Sequence, residues 1–226
     1  MAAEYPGDGD LARSRVVATC SRGLGCGKPL CVNGYSLAVV QEAVLAFLRD
    51  RTDAALFGAQ AVNAYVSELR MTQDVDILAV HAAELAGELR DHLRERFHLV
   101  VRVCRIAAGR GFRIFQTRRG AARHLADIRI VDALPPIRKI GGIAVVSPEE
   151  LIAVKVFAFH HRSGQPRSFT DHRDIAVLLL KFPQPQRCDG AVRRRLQAAG
   201  AGPPVLAVWR RFVNEPIKKE DENNGF

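Results

Sequence analysis

The chain has 226 residues, of which 48% are hydrophobic and 25% charged, and 33 Lys and Arg against 24 Asp and Glu give a formal net charge of +9. No apolar run approaches the roughly 20 residues that a membrane-spanning helix needs, and the N-terminus has no apolar signal core, so the expected location is cytoplasmic, with no membrane partner. The positive balance favours polyanions such as nucleotide phosphates, RNA or DNA, and five cysteines without a repeated C-x-x-C motif are expected to be free thiols.

Residues 1–33 are rich in Gly, Asp, Arg and Ser, lack periodicity, and are expected to form a disordered leader. The first three cysteines, Cys20, Cys26 and Cys31, supply one ligand fewer than a structural zinc requires. The stretch Ser21–Pro29 looks like a phosphate loop but fails the motif twice, with Arg22 in place of its first Gly and Pro29 in place of Ser/Thr. From Ser36 to Arg49, Val39, Val40, Ala43, Val44, Phe47 and Leu48 recur at helical spacing and predict an amphipathic helix.

The stretch from Ala55 to Val80 carries the densest chemistry. A short strand, Ala55-Leu56-Phe57, meets a turn at Gly58, and a helix is predicted through Ala61, Val62, Tyr65 and Leu69. A second strand from Asp74 to Val80 places Asp74 and Asp76 on one face, because side chains alternate along a strand. Two carboxylates held that close are costly unless a cation sits between them. The glycine turn feeds a helix N-terminus, whose free N–H groups suit a phosphate.

Downstream, Ala82–Phe97 reads as a helix buried along Leu85, Leu89 and Leu93, with His92 and His98 at the surface. Val100–Ile106 and Phe112–Gln116 read as two strands joined by Gly109-Arg110-Gly111. Between residues 100 and 124 lie seven arginines (Arg102, Arg105, Arg110, Arg113, Arg118, Arg119, Arg123) and no acid. A cationic wall for a phosphate backbone is favoured over a solvated sheet face, because the segment has no counter-charge of its own. His124–Val131 is a further strand with Asp127 inside it and Asp132 at its end.

Ser147-Pro148-Glu149-Glu150 predicts a helix start with Ser147 as N-cap, Pro148 at N1 and Glu150 closing a capping box. Lys155 is the one charge in the first nine residues from Leu151, so it must snorkel to water or reach an acid or a ligand. Gly164–Ser168 reads as a loop, and Thr170-Asp171 either caps a helix Asp171–Leu180 or serves the site. His160, His161 and His172 read as surface residues rather than a metal trio. A basic helix with Arg193-Arg194-Arg195 and a last helix Val205–Val213 follow.

The set Gly58-Ala59-Gln60-Ala61-Val62-Asn63 and Arg70-Met71-Thr72-Gln73-Asp74-Val75-Asp76 resembles the signature of polymerase-β-like nucleotidyltransferases, a Gly-[Gly/Ser] turn followed by Asp-h-[Asp/Glu]. The nearest likeness is to small prokaryotic members linked to abortive infection and type IV toxin–antitoxin systems. Those carry L-x-x-x-K-x-x-A and then R…D-x-x-D, matched by Leu151, Lys155, Ala158, Arg162, Asp171 and Asp174. The resemblance spans about Leu37 to Lys181, and Ala59 departs from it by lacking the hydroxyl of the usual Ser.

The resemblance implies an α/β fold: a mixed, twisted sheet flanked by helices, with a core at 34–146, a helical C-terminal part at 147–217 and a frayed tail at 218–226. It also implies metal-dependent transfer of a nucleoside monophosphate from an NTP to a hydroxyl. Asp74, Asp76 and a third acid, Asp127, would hold Mg²⁺ or Mn²⁺, with Asp127 also deprotonating the acceptor. Asp127 and Asp132 differ by five positions and face opposite sides of an unbroken strand, so only one serves; Asp132 is otherwise a turn residue. Gly58 and the Ala59 N–H would admit the triphosphate, and Lys155 would contact its phosphates with Asp171 or Asp174 orienting it. Arg70 and Thr72 either position phosphates or brace the turn before Asp74. The implied acceptor is RNA, including a tRNA end, or a protein side chain, and a cognate antitoxin protein is an implied partner. Two other readings stand beside it: a catalytically inactive nucleotide- or RNA-binding toxin–antitoxin component, and an antibiotic-modifying enzyme, against which the arginine-rich wall argues.

Overall fold

The structure, a computed structural model, describes residues 31–32, 35–118, 121–183 and 190–218. The expected leader (apart from residues 31 and 32), the loop at 21–29, Cys20, Cys26, Cys188 and the tail after residue 218 lie outside the described residues. In chain order the elements are β1 (Cys31–Val32), β2 (Tyr35–Ser36), α1 (Leu37–Phe47), β3 (Ala54–Phe57), α2 (Gly58–Tyr65), β4 (Val75–Ala79), α3 (Ala82–Phe97), β5 (Val101–Ile106), β6 (Gly111–Arg118), β7 (Ala121–Ile130), β8 (Ile137–Ile140) and β9 (Ile143–Val146). Four helices follow: α4 (Pro148–His161), α5 (Pro166–Lys181), α6 (Ala191–Ala198) and α7 (Pro203–Asn214).

Seven strands form one mixed sheet in the order β5-β6-β7-β4-β3-β9-β8, with β4 parallel to β7, β3 parallel to β9, and the remaining pairs antiparallel. This is the α/β arrangement of a mixed sheet flanked by helices. On one face Ile77, Ile114 and Ile128 are fully buried, where α3 packs across β4 to β7 with α1 beside it. The predicted stripe of Leu85, Leu89 and Leu93 is fully buried. Each of those isoleucines is one residue out of phase with Asp76, Arg113 and Asp127, so strand alternation sends these three polar side chains to the opposite face.

Beyond the sheet, α4 packs against α2, α5, α6 and α7, around a buried Trp209 and Phe212. Ser147 caps α4 by accepting from the Glu150 N–H at 3.4 Å, with Pro148 in the first turn. The expected capping box does not close: the Ser147 N–H donates to the Pro136 carbonyl, and the Glu150 side chain pairs with Arg195 instead. Tertiary partners outcompete the local one.

Several predicted boundaries move. Helix α2 ends at Tyr65, and Leu69 lies in the following loop, largely exposed. Strand β4 begins at Val75, one residue after Asp74. Val39 is exposed although it shares the helical spacing of α1. Helix α5 begins at Pro166 behind Gln165, so Asp171 is not an N-cap but a buried residue in its second turn. The β8–β9 hairpin was not among the predicted elements. Its signal is Gly141-Gly142 between Ile140 and Ile143, with φ of 56° and 83°, positive values that a two-residue hairpin turn demands and glycine adopts without strain.

Candidate active site

Register builds the site. Phe57 on β3 pairs with Asp76 on β4, and Asp76 pairs with Asp127 on β7. Side chains opposite one another on neighbouring strands point to the same face, about 5 Å apart at the backbone. Asp76 and Asp127 therefore stand side by side, with Asp74 just ahead of β4. Asp132 lies past the end of β7, exposed in a bend, away from this row.

Gly58 closes the row from below. Its φ is +68°, and a Cβ placed on it would sit 2.8 Å from Cγ and 2.9 Å from Cβ of Asp76. Only glycine lets α2 start this close to the carboxylate. Gly58→Ala is accordingly expected to lower the melting temperature and to displace Asp76; circular dichroism melts together with a crystal structure of the variant check both, and an unperturbed Asp76 would refute it.

Burial, reinforced by Asp74 and then Asp127, pushes the Asp76 carboxyl up to about 6, while Arg129 and Lys155 pull it back. A carboxylate so placed gains from a divalent cation, and Asp74 with Asp76 suits one in donor chemistry. Asp127 is otherwise engaged. Arg113, its register partner on β6, grips it through two parallel bonds, Nε to Oδ1 at 2.8 Å and Nη2 to Oδ2 at 2.7 Å. Among the described residues no three Asp, Glu, His or Cys side chains converge as they stand into a metal-holding group.

One arginine of the rich segment, Arg113, thus finds its counter-charge in the next strand. Arg110 and Arg123 have partners as well. Arg102 shares the carboxylate face and is exposed, whereas Arg105 lies on the other face over the Phe112 ring.

The remaining predicted residues form braces. Asp174 is fully buried and receives Arg70 through Nε and Nη2, both at 2.9 Å, and Lys155 Nζ at 2.7 Å. Lys155 also donates to Asp171 at 3.1 Å, and Arg162 reaches the other oxygen of Asp171 at 2.8 Å. Burial raises the Asp174 pKa, but Arg70 and Lys155 outweigh it and hold the carboxyl below its ordinary value. Lys155 therefore reaches two acids, and Arg70 ties the loop before Asp74 to α5. Thr72 is buried and accepts from Gln60 Nε2 at 2.9 Å and Gln41 Nε2 at 3.3 Å. The Asn63 amide clasps the Arg70 backbone in both directions. Of the two readings left open for Arg70 and Thr72, the observed bonds are those of braces on the turn before Asp74.

Ala59 lies in the first turn of α2, which has no side-chain cap. Cys104 is a free, exposed thiol. His160 and His161 contact each other, His172 packs between Phe159 and Phe212, and His92 is half-buried against Phe47.

Two site residues escaped the sequence reading. The Arg113–Asp127 pair depends on strand register, which spacing does not reveal. Arg129 carried a usable signal, since it stands two positions after Asp127 on the same strand and so on the same face.

No protein-family model matches the sequence, and no curated protein does. Among solved structures, the chain is similar to the Megavirus polyadenylate synthase, with a TM-score of 0.53 and 19% identity over 66% of this chain and 32% of that one. The chain thus spans about a third of the length of that protein. It also matches an antigenic nucleotidyltransferase-like protein from Paracoccidioides brasiliensis, with a TM-score of 0.40 and 18% identity over 81% and 92% of the two chains. A third match is the antibiotic-resistance factor ANT(2'')-Ia, with a TM-score of 0.45 and 16% identity over 73% and 90%. The first of these shows that this chain shares its fold with that polyadenylate synthase.

Proposed function

We propose that this chain, built on the nucleotidyltransferase fold, moves a nucleoside monophosphate from an NTP to a hydroxyl acceptor. The observation that carries the reading is the row Phe57–Asp76–Asp127, which brings two carboxylates together beside the Gly58 turn. Asp74 and Asp76 would hold Mg²⁺ or Mn²⁺, which when bound supplies positive charge to the triphosphate oxygens. The first N–H groups of α2, those of Gly58 and Ala59 included, have no intrahelical partner and suit phosphate oxygens.

Asp127 takes the proton of the attacking hydroxyl once Arg113 yields it. The hydroxyl oxygen bonds to the α-phosphorus, the bond from that phosphorus to the α,β-bridging oxygen breaks, and pyrophosphate leaves with the electron pair. An RNA acceptor, a tRNA end included, is supported by the net charge of +9 and by exposed Arg102 on the carboxylate face. A toxin-like role with a cognate antitoxin rests on the sequence resemblance alone.

A second reading has its own observation. The bidentate grip of Arg113 on Asp127 favours a nucleotide- or RNA-binding protein without catalysis. One experiment separates the two. The purified chain is incubated with Mg²⁺, each α-labelled NTP in turn, and total RNA, beside the Asp74→Ala/Asp76→Ala variant. Label entering RNA or protein only with the wild type is the expected result; nucleotide binding without transfer would decide for the second reading.

A further inference from the structure

We infer that Arg129 is the side chain that receives the triphosphate of the nucleotide, an assignment that rests on the nucleotidyltransferase reading above. The argument begins with the cations that the sequence would nominate. Arg70 and Lys155 share Asp174, Arg162 and Lys155 share Asp171, and Arg113 is clamped on Asp127. Each of these charges is already committed to a carboxylate.

Arg129 is differently placed. It follows Asp127 by two residues on β7 and pairs in register with Leu78 on β4, so its side chain rises on the carboxylate face. From there it reaches diagonally across β4, and its guanidinium lies 5.0 Å from the centroid of the Phe57 ring on β3. Phe57 is the residue from which the chain enters the Gly58 turn and α2. Among the described residues no carboxylate stands within ion-pair distance of Arg129, and the residue is exposed. Its charge is nonetheless felt at Asp76.

The stacking matters chemically. A guanidinium lying over an aromatic ring is held by its π face, which leaves the in-plane N–H groups free to grip phosphate oxygens in pairs. The ring limits the rotamers that would otherwise be lost on binding, so the cation is pre-positioned beside the turn whose backbone N–H groups suit the same anion. A charge left uncommitted at that place, beside carboxylates that would repel an unaccompanied triphosphate, has an evident use.

The test is calorimetric titration of the full-length chain with inorganic tripolyphosphate in the absence of divalent cation, which reads anion binding without turnover. Arg129→Ala is expected to weaken binding about ten-fold or more, as loss of a charge-assisted pair does. Arg129→Lys keeps the charge but not the fork and falls between the two. Arg105→Ala, an exposed arginine on the opposite face, stays within about two-fold of wild type if the site rather than the general field is responsible. Melting curves of the exposed-site variants confirm that each is folded. Equal binding by Arg129→Ala and wild type, an equal loss in Arg105→Ala, or no binding by wild type would each overturn the assignment. Should the wild type bind tripolyphosphate through Arg129 yet fail to transfer label from any NTP, the anion site stands and the enzymatic reading falls.

Discussion

Asp174→Ala is expected to lower the unfolding free energy by about 3–5 kcal/mol, because it strips one acid from a buried cluster, leaving Arg70 without its acid and Lys155 with Asp171 alone. Asp174 is fully buried, and Arg70, Lys155 and, at 3.8 Å, Arg173 all converge on it. For a chain of this length the melting temperature should fall by about 6–20 °C, measured by calorimetry at pH 7.5. The loss arises from unpaired charge rather than from lost volume. Lys155→Met combined with Asp174→Leu is therefore expected to be less destabilised than the sum of the single variants. Additive losses in that double-mutant cycle would show that the pair does not act as a unit. The pH dependence has a definite sign: Asp174 has a folded pKa below its ordinary value, so its contribution is present above about pH 4 and disappears as pH falls through the folded value.

The other large effect has the opposite sign. Asp76→Asn is expected to stabilise the protein at neutral pH while abolishing the proposed nucleotidyl transfer. The Asp76 carboxyl is pushed from 3.8 up to about 6 by burial and by Asp74. A carboxyl with a raised folded pKa favours the folded state fully below the unfolded value, and that advantage is lost as pH rises through the folded value. By pH 7.5 its ionisation costs up to about 3 kcal/mol in the protein without metal. The difference in melting temperature between Asp76→Asn and wild type should be near zero at pH 4, grow through pH 6, and reach about 6 °C or more at pH 7.5. Millimolar Mg²⁺ should shrink that gap by stabilising the wild type alone. A gap that does not vary with pH, or a less stable variant at pH 7.5, would sink this account of Asp76. On this account Asp76→Asn trades the proposed function for stability in the usual direction.

These two acids differ in how far the sequence revealed them. Asp74 and Asp76 could be singled out because their chemistry is local: two acids two residues apart at the entry of a strand stay close together whatever else the chain does, and Gly58 marks the turn beside them. The strands around Ala55 and Ile77, the helix with Leu85, Leu89 and Leu93, and the Ser147 cap were legible for the same reason, since period and capping act over a few residues. Leu69 and Asp171 were misplaced because helix ends depend on what the next segment packs against. The loop after Tyr65 is held by Asn63 and by Arg70 reaching α5, and no spacing rule reports a partner 104 residues away.

Charge pairing was the part that only the folded chain decided. Between residues 100 and 124 the sequence offers seven arginines and no acid, and the compensation for Arg113 comes from Asp127 through the β6–β7 register. Lys155 looked like a lone charge in an apolar helix until α5 brought Asp171 and Asp174 against it. Which cations are committed and which remain available, Arg129 over Phe57 above all, follows from register and helix packing. Periodicity marked most of the strands and helices and the carboxylate pair, because burial and alternation are properties of short segments, and the α/β class was what the family resemblance implied. The tertiary structure decided the electrostatics, because a charge is compensated by whatever is near in space.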